Sequence, residues 1–487
     1  MFVPIVLDFE NNGLKFLLLK YLRFLHHCIE NNWLIITHAE FEKYELNFPN
    51  RNEYSQKMMK DYEYSLYSKE ERASVKQYFI SSEYFEKLEK KAGSKLESAL
   101  YLLNNNDSEL EDILDTFVAD IYASGEKIEG FLYFAACPLS VKKIAQKNNI
   151  PLIAYETGPI RMSNYRCKTS YFCNEGLYTT NEVENRFEKF KKELKTNDSI
   201  PIFTRREILA LFLSDNNLKY LSLIDKTPEY EIGVAGGCAL VVPYFAIDKY
   251  MDHELVDDVL DIYKPQDIFF RLHPGDMYKS TYRLHHYDIT PNPFVFLLNS
   301  KRIAAVGSNL LFEAMLWERI PCCKTSVMPA TFMCEKNYKA NTVSEDMELF
   351  VNFYVFSFLV PYELACNEAY MKWRLSQPSE TEIYMQNIMY YMDKFELSEE
   401  WLNLKSEERF NMLKLYRNYA PMKKHELKEE MVLAYPQNVE ERKNEELEQR
   451  YNETKEHLDA VLNSTSWKLT FPIRKIVLFL RGGHHEK

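Results

Sequence analysis

Four short stretches place groups that move protons or bind phosphate at the ends of apolar runs. The first is Tyr155-Glu-Thr-Gly-Pro-Ile-Arg161. Glu156 stands beside Gly158, whose missing side chain permits unusual backbone angles and close approach of a ligand. Glu156 is therefore placed to act as a general acid or base, or to cap the turn that follows. The second is Arg271-Leu-His-Pro-Gly-Asp276. An imidazole held at a strand end by a following proline can donate to a phosphate oxygen. His273 is that donor or an ordinary loop histidine, and Arg271 or Lys279 would add positive charge. The third is Gly307-Ser-Asn-Leu-Leu-Phe-Glu-Ala314. A Gly-Ser step before a helix aims backbone N–H groups at an anion, and Ser308 adds a hydroxyl. Asn309 shares this loop, and Glu313 lies five residues beyond Ser308, where an acid can bond a ribose or a base. The alternative is a helix capped by Ser308. The fourth is Asp248, in Val241-Val-Pro-Tyr-Phe-Ala-Ile-Asp248, which suits a carboxylate nucleophile or a helix cap. No clustered His/Asp ligand set appears, so neither a metal nor a separate cofactor is expected.

These stretches need elements to position them. Met1–Asp8 reads as a first strand, 14–31 as a helix and Trp33–Thr37 as a strand. Residues 52–122 are charged and Tyr-rich with helical periodicity. Strands are expected at Gly130–Phe134 and Pro151–Tyr155 around a helix at Leu139–Lys147. The pattern repeats with strands at Cys238–Val242, Asp267–Leu272, Arg302–Val306 and Ile320–Cys323, and helices at 252–263 and 308–317. β-α-β alternation argues for parallel sheets covered by helices, and ligands bind at the carboxyl ends of such strands. The expected fold class is therefore α/β, with two Rossmann-like lobes and a helical C-terminal extension. The lobes are 1–228 and 229–385, divided near Asp225–Glu231. A helical segment 386–435, a charged helix 436–465 and a basic-aromatic tail 466–487 follow.

The chain has 487 residues, enough for two or three domains at roughly 100–200 residues each. Its formal net charge of −12 makes nucleic acid an unsuitable partner. Nine scattered cysteines without a CxxC pair read as free thiols in a reducing cytosol. No signal peptide and no uninterrupted apolar stretch of about 18 residues is present, so no spanning helix is expected. Within 440–462, Leu447, Tyr451, Leu458, Val461 and Leu462 form a thin apolar stripe, which fits a short coiled coil or a solvated helix. Residues 466–481 mix Trp467, Phe471 and an Ile-Val-Leu-Phe-Leu run with Lys468, Arg474, Lys475 and Arg481. That combination suits a membrane surface, or packing on the body of the protein.

Taken in order, the four stretches resemble the bacterial Kdo transferases of capsule and O-antigen assembly, CMP-sugar-dependent enzymes of the GT-B architecture. Glu156-Thr-Gly-Pro-Ile-Arg161-Met-Ser163 is similar to that family's Glu-Asp-Gly-Phe-Leu-Arg-Ser stretch, and Glu175-Gly-Leu-Tyr-Thr-Thr-Asn181 to its Gly-Ile-Tyr-Tyr-type segment. Val242-Pro243 leading to Asp248, Arg271-Leu-His-Pro274, and Ser308 to Ala314 resemble its Val-Pro, Lys-Pro-His-Pro and Ser-x-x-Gly-Phe-Glu-Ala segments. The resemblance covers roughly residues 130–325. This chain departs from the pattern at Thr157, which replaces a second acid. It departs again at Phe245-Ala246, which replaces Gln-Val, and at Leu311, which replaces a glycine.

The resemblance implies transfer of Kdo from CMP-Kdo to a surface polysaccharide, with retention at the anomeric carbon. Asp248 would be the nucleophile and Glu156 the base for the acceptor. His273, Arg271, Ser308, Asn309 and Glu313 would bind the donor, and Gly158 and Arg161 would shape the site. It further implies a cytoplasmic protein at the inner membrane face, with a glycan or glycolipid acceptor. Bacterial sialyltransferases share the His-Pro and serine motifs, so an inverting CMP-sialic acid transferase is the alternative donor reading. A non-catalytic scaffold of a polysaccharide assembly complex is the alternative of another class.

Overall fold

A computed structural model describes residues 1–7, 34–38, 76–134, 137–174, 177, 180–197, 199–237, 250–273, 287–288, 290, 292–365 and 367–434. The expectations for a helix at 14–31, a strand at 238–242, a coiled coil at 440–462 and a tail at 466–481 lie outside the described residues, as does Asp248.

The first sheet contains β1 (Phe2–Val6), β2 (Leu34–His38), β3 (Lys76–Ile80), β4 (Gly130–Phe134), β5 (Leu152–Thr157) and β6 (Thr169–Cys173). Five of these run parallel in the order β5-β4-β1-β2-β3. Beyond β5, β6 is antiparallel, and β12 (Leu359–Pro361) is antiparallel to β6. The second sheet is wholly parallel in the order β11-β10-β7-β8-β9. Its strands are β7 (Tyr230–Ala235), β8 (Ile268–Arg271), β9 (Tyr287–Asp288), β10 (Ser300–Ala304) and β11 (Ile320–Cys322). The expected α/β class and two parallel-sheet lobes are therefore present.

Local rules explain most elements. β1 and β4 are continuous apolar runs, and β8 is one up to its terminal Arg271, as strands covered on both faces must be. The helix Leu139–Lys147 matches its expected span. The helix Arg205–Phe212 starts at a capping box, in which Thr204 accepts from the Glu207 N–H and Glu207 accepts from the Thr204 N–H. Five strands escape sequence reading: Lys76–Ile80, Thr169–Cys173, Tyr230–Ala235, Tyr287–Asp288 and Leu359–Pro361. Lys76–Ile80 is half exposed at a sheet edge, and Leu359–Pro361 is only three residues long.

The last strand shows a crossing back that the division at residue 385 did not contain. Residues 359–361 join the first sheet, and Tyr370 of the helix Glu368–Leu375 packs edge-on against Phe172 of β6. The helix Glu380–Lys394 sits over the same lobe. Arg186 clamps Glu380 through two bonds of 2.9 and 3.1 Å. Burial alone would push the Glu380 carboxyl up, but the Arg186 guanidinium outweighs it and holds it below its ordinary value.

One apolar core serves both sheets. It contains Ala154 and Tyr171 from the first lobe and Phe269 and Ile303 from the second. Between them lie the helix Arg205–Phe212 and the helix Leu310–Leu316, the latter buried at all seven positions. This helix has no solvent face, so its one acid, Glu313, must find partners inside the fold.

Within this core, Arg409 donates to Glu207 at 2.7 Å, and Ser406 donates to the other carboxylate oxygen at 2.6 Å. Both charges are buried. Arg409→Ala leaves Glu207 charged and unpaired, with an expected loss of about 3–5 kcal/mol of stability. Adding Glu207→Gln to that variant should recover a measurable part of it. Chemical denaturation of the single and double variants checks this, and a single variant as stable as wild type would refute the pairing.

Candidate active site

β5 of the first sheet and β8 of the second bring the segments at their carboxyl ends to the seam between the lobes. In the first sheet, β5 runs two residues further than its apolar pattern suggests. Glu156 is thus the penultimate strand residue, not a loop residue beyond it. It is half-buried and stands directly opposite Tyr171 in the antiparallel pair. Alternation along β5 puts its side chain on the same face as Ala154, towards the shared core. One carboxylate oxygen accepts from the Thr157 N–H at 3.2 Å.

Gly158 answers to a different demand from the one its sequence context suggests. A Cβ there would lie 2.3 Å from Thr169 Oγ1, so the close neighbour is β6 itself. Arg161 folds back on the turn. Its Nε donates to the Gly158 carbonyl at 2.7 Å, and Nη2 to the Thr157 carbonyl at 3.4 Å. The guanidinium supplies positive potential to Tyr171 and to Glu313.

In the second sheet, Arg271 ends β8 and His273 follows two residues later, half-buried. Arg271 is buried and pairs through Nη1 with Asp288 and with the Thr290 carbonyl. Much of its charge is therefore balanced inside the lobe, a constraint invisible in the His-Pro motif. Pro274, Asp276 and Lys279 lie outside the described residues.

The expected helix after Gly307 begins at Leu310, not at Ser308, and ends at Leu316. Ser308 Oγ accepts from the Leu310 N–H at 3.2 Å. Asn309 occupies the cap position, yet its side chain makes no cap bond; its Oδ1 accepts from the Tyr171 hydroxyl at 2.7 Å. One turn on, Glu313 Oε2 accepts from the Tyr165 hydroxyl at 2.9 Å. Both bonds cross the seam.

The fold thus brings Glu156 and Arg161 from one lobe together with Asn309, Glu313 and Arg271 from the other. Sequence reasoning missed Tyr165, Tyr171 and Tyr354. Tyr165 and Tyr171 follow Arg161 closely in the chain, and the Thr169–Cys173 run that contains Tyr171 was the available signal of a buried strand. Nothing local announces which helix their hydroxyls meet. Among the described residues no group of three or more His, Cys, Asp or Glu is placed to hold a metal ion. Also among them, no helix is long and apolar enough to cross a membrane.

Two α/β lobes with parallel-strand ends on one seam form a GT-B-type architecture. Residues 2–182 match the Glycosyltransferase 99 family N-terminal domain. That match spans β1 to β6 and includes Glu156, Gly158, Arg161, Tyr165 and Tyr171. No curated protein sequence matches the chain. Among solved structures, the Thermosulfurimonas dismutans KpsC beta Kdo 2,7 transferase is 13% identical, with a TM-score of 0.35, over 70% of this chain and 98% of that one. The KpsC beta Kdo 2,4 transferase of the same organism is 15% identical, with a TM-score of 0.30, over 46% of this chain and 78% of that one. A UDP-GlcNAc 2-epimerase from Neisseria meningitidis, bound to UDP-GlcNAc, is 13% identical with a TM-score of 0.29, over 86% of this chain and 99% of that one.

Glu313 carries the electrostatic signature of the site. Burial pushes its carboxyl up to about 7, against the opposing pull of the Tyr165 hydrogen bond and of Arg161 and Arg271. The folded protein holds this proton more tightly than the unfolded chain does. Stability therefore falls as pH rises from about 4.5 to about 7 and stays lowered above that. Glu313→Gln removes this dependence. The variant should gain on the order of 3 kcal/mol relative to wild type at pH 8, and nothing at pH 4. Denaturation midpoints at the two pH values check it, and a gain equal at both would refute the raised value.

Proposed function

We propose that this protein is a glycosyltransferase that moves Kdo from CMP-Kdo to a surface polysaccharide acceptor with retention of configuration. The observation that carries the reading is the meeting, on one seam, of the Glu156 strand end with the face of Asn309 and Glu313. These are the segments whose sequences resemble the Kdo transferases.

Retention by two displacements requires a nucleophile and a separate base. The Asp248 carboxylate attacks the anomeric carbon. The bond to the phosphate oxygen breaks, and CMP leaves with the electron pair. His273 and Ser308 donate to the departing phosphate, which lowers the barrier where negative charge grows. The Arg271 guanidinium, already tied to Asp288, adds field to the pocket rather than a mobile contact. Asn309 and Glu313 border the nucleotide. Glu156 then takes the proton of an acceptor hydroxyl, whose oxygen displaces Asp248 and forms the glycosidic bond. Gly158 and Arg161 hold the Glu156 turn in shape. No metal takes part in this scheme.

Release of CMP from CMP-Kdo and from CMP-sialic acid tests the donor. Turnover is expected on CMP-Kdo, with Glu156→Gln reduced by about 10²–10⁴-fold, the usual worth of a positioned base. Asp248→Ala should abolish transfer. Turnover on CMP-sialic acid alone, with Asp248→Ala active, would replace this reading by a single inverting step. Absence of CMP binding by calorimetry would favour a scaffold instead.

The acceptor implies work at a lipid surface, at the cytoplasmic face of the inner membrane. Residues 466–481 supply its contact, through aromatic side chains at headgroup depth and cations on anionic lipid. The full chain is expected to sediment with vesicles rich in anionic phospholipid, and a chain ending at residue 465 to stay in the supernatant. Equal sedimentation of both would remove the tail from this role.

A further inference from the structure

Tyr165, four residues before β6, and Tyr171, at the centre of β6, belong to the first lobe and are almost sealed from solvent, at 1% and 0% exposure. Buried hydroxyls need partners, and both find them in the other lobe. Tyr171 donates to Asn309 Oδ1 at 2.7 Å, and Tyr165 donates to Glu313 Oε2 at 2.9 Å. Asn309 and Glu313 are four residues apart, so they stand one above the other on a single helix face. The two bonds therefore fix both the position and the rotation of the helix Leu310–Leu316 against the first lobe.

The arrangement around Tyr171 has a set direction. A phenol has one hydrogen to give. With that hydrogen on Asn309, the 2.9 Å contact to Tyr354 must be a bond donated by the Tyr354 hydroxyl. Tyr354 begins the π-helix Tyr354–Phe358 and stacks on Phe312 of the clamped helix at 4.5 Å. A π-helical turn is rare and needs a local reason, and here it puts Tyr354 in both contacts. Tyr171 also stands directly across the strand pair from Glu156. The proposed base and the loop of Ser308 are thus connected through one residue.

We propose that Tyr165 and Tyr171 are positioning residues, a two-hydroxyl clamp that sets the spacing between the acceptor-side base and the donor-side loop. Asn309 and Glu313 act as the receiving face of the clamp as well as borders of the nucleotide. This rests on the function proposed above, because spacing matters to rate only if Glu156 and the Ser308 loop serve one reaction.

The isosteric variant Tyr171→Phe keeps the ring packing on Tyr354 and Phe358 and removes only the hydroxyl. It is measured with Asn309→Ala and with the double variant, in the full-length protein, on the CMP-sugar that wild type turns over. Each single variant should lower kcat/KM by about 10–100-fold, mostly through kcat, as misplacement of reacting groups does. The double variant should fall no further than the worse single one. Tyr171→Phe within twofold of wild type, or fully additive losses, overturns the clamp. A second arm needs no donor. Amide hydrogen exchange across 305–316 should quicken in Tyr171→Phe while β1 and β4 stay protected, and unchanged exchange across 305–316 overturns the clamp. Wild-type silence on every CMP-sugar would sink the donor reading alone, and the exchange result would then decide the clamp.

Discussion

The constraint on which this structure depends is that its two sheets share one apolar core. Tyr165 and Tyr220 of the first lobe both meet the Phe294 ring of the second, at 5.8 and 5.5 Å between ring centres. Each such side chain contributes about 1.5–3 kcal/mol by leaving water. Parting the lobes widely would expose several at once. The seam is therefore a packed interface rather than a loose hinge, and groups on it are held in fixed relation. Catalysis by positioned charges benefits from that rigidity.

A packed seam sets a hard condition on polar groups. Each must be paired, because the surroundings cannot solvate it. The pairs observed meet that condition across long stretches of chain: Arg409 with Glu207, Arg186 with Glu380, Tyr165 with Glu313 and Tyr171 with Asn309. Glu313 is the member least fully compensated. Its raised affinity for a proton is the consequence of a carboxylate placed where the fold needs it rather than where water would keep it charged. The crossing back of residues 359–394 onto the first lobe completes the enclosure, since Arg186 reaches both Glu380 and the Ser357 carbonyl.

Much of the architecture was legible in the order of residues. The helix at Leu139–Lys147 and the strands at Gly130–Phe134 and Ile320–Cys322 follow from periodicity and apolar runs, which are local properties. Spacing also put Glu156, His273 and Ser308 at or near the carboxyl ends of strands, because βα turns are marked by glycine, proline and serine. Less legible were short or edge strands. Lys76–Ile80 carries polar residues on an exposed edge, and three residues at Leu359–Pro361 have no period to read.

What the sequence determined by itself is the repertoire: an α/β chain in two parallel-sheet halves, with acid, imidazole and hydroxyl groups at strand ends. Those assignments rest on neighbours a few residues apart, where chain geometry alone dictates contact. The tertiary structure decided the rest. It showed that Gly158 is required by Thr169 and that Arg271 is committed to Asp288. It also showed that Asn309 and Glu313 receive hydroxyls from tyrosines about 140 residues earlier in the chain. Such partners are chosen by how two sheets pack, and packing depends on the whole surface each sheet buries.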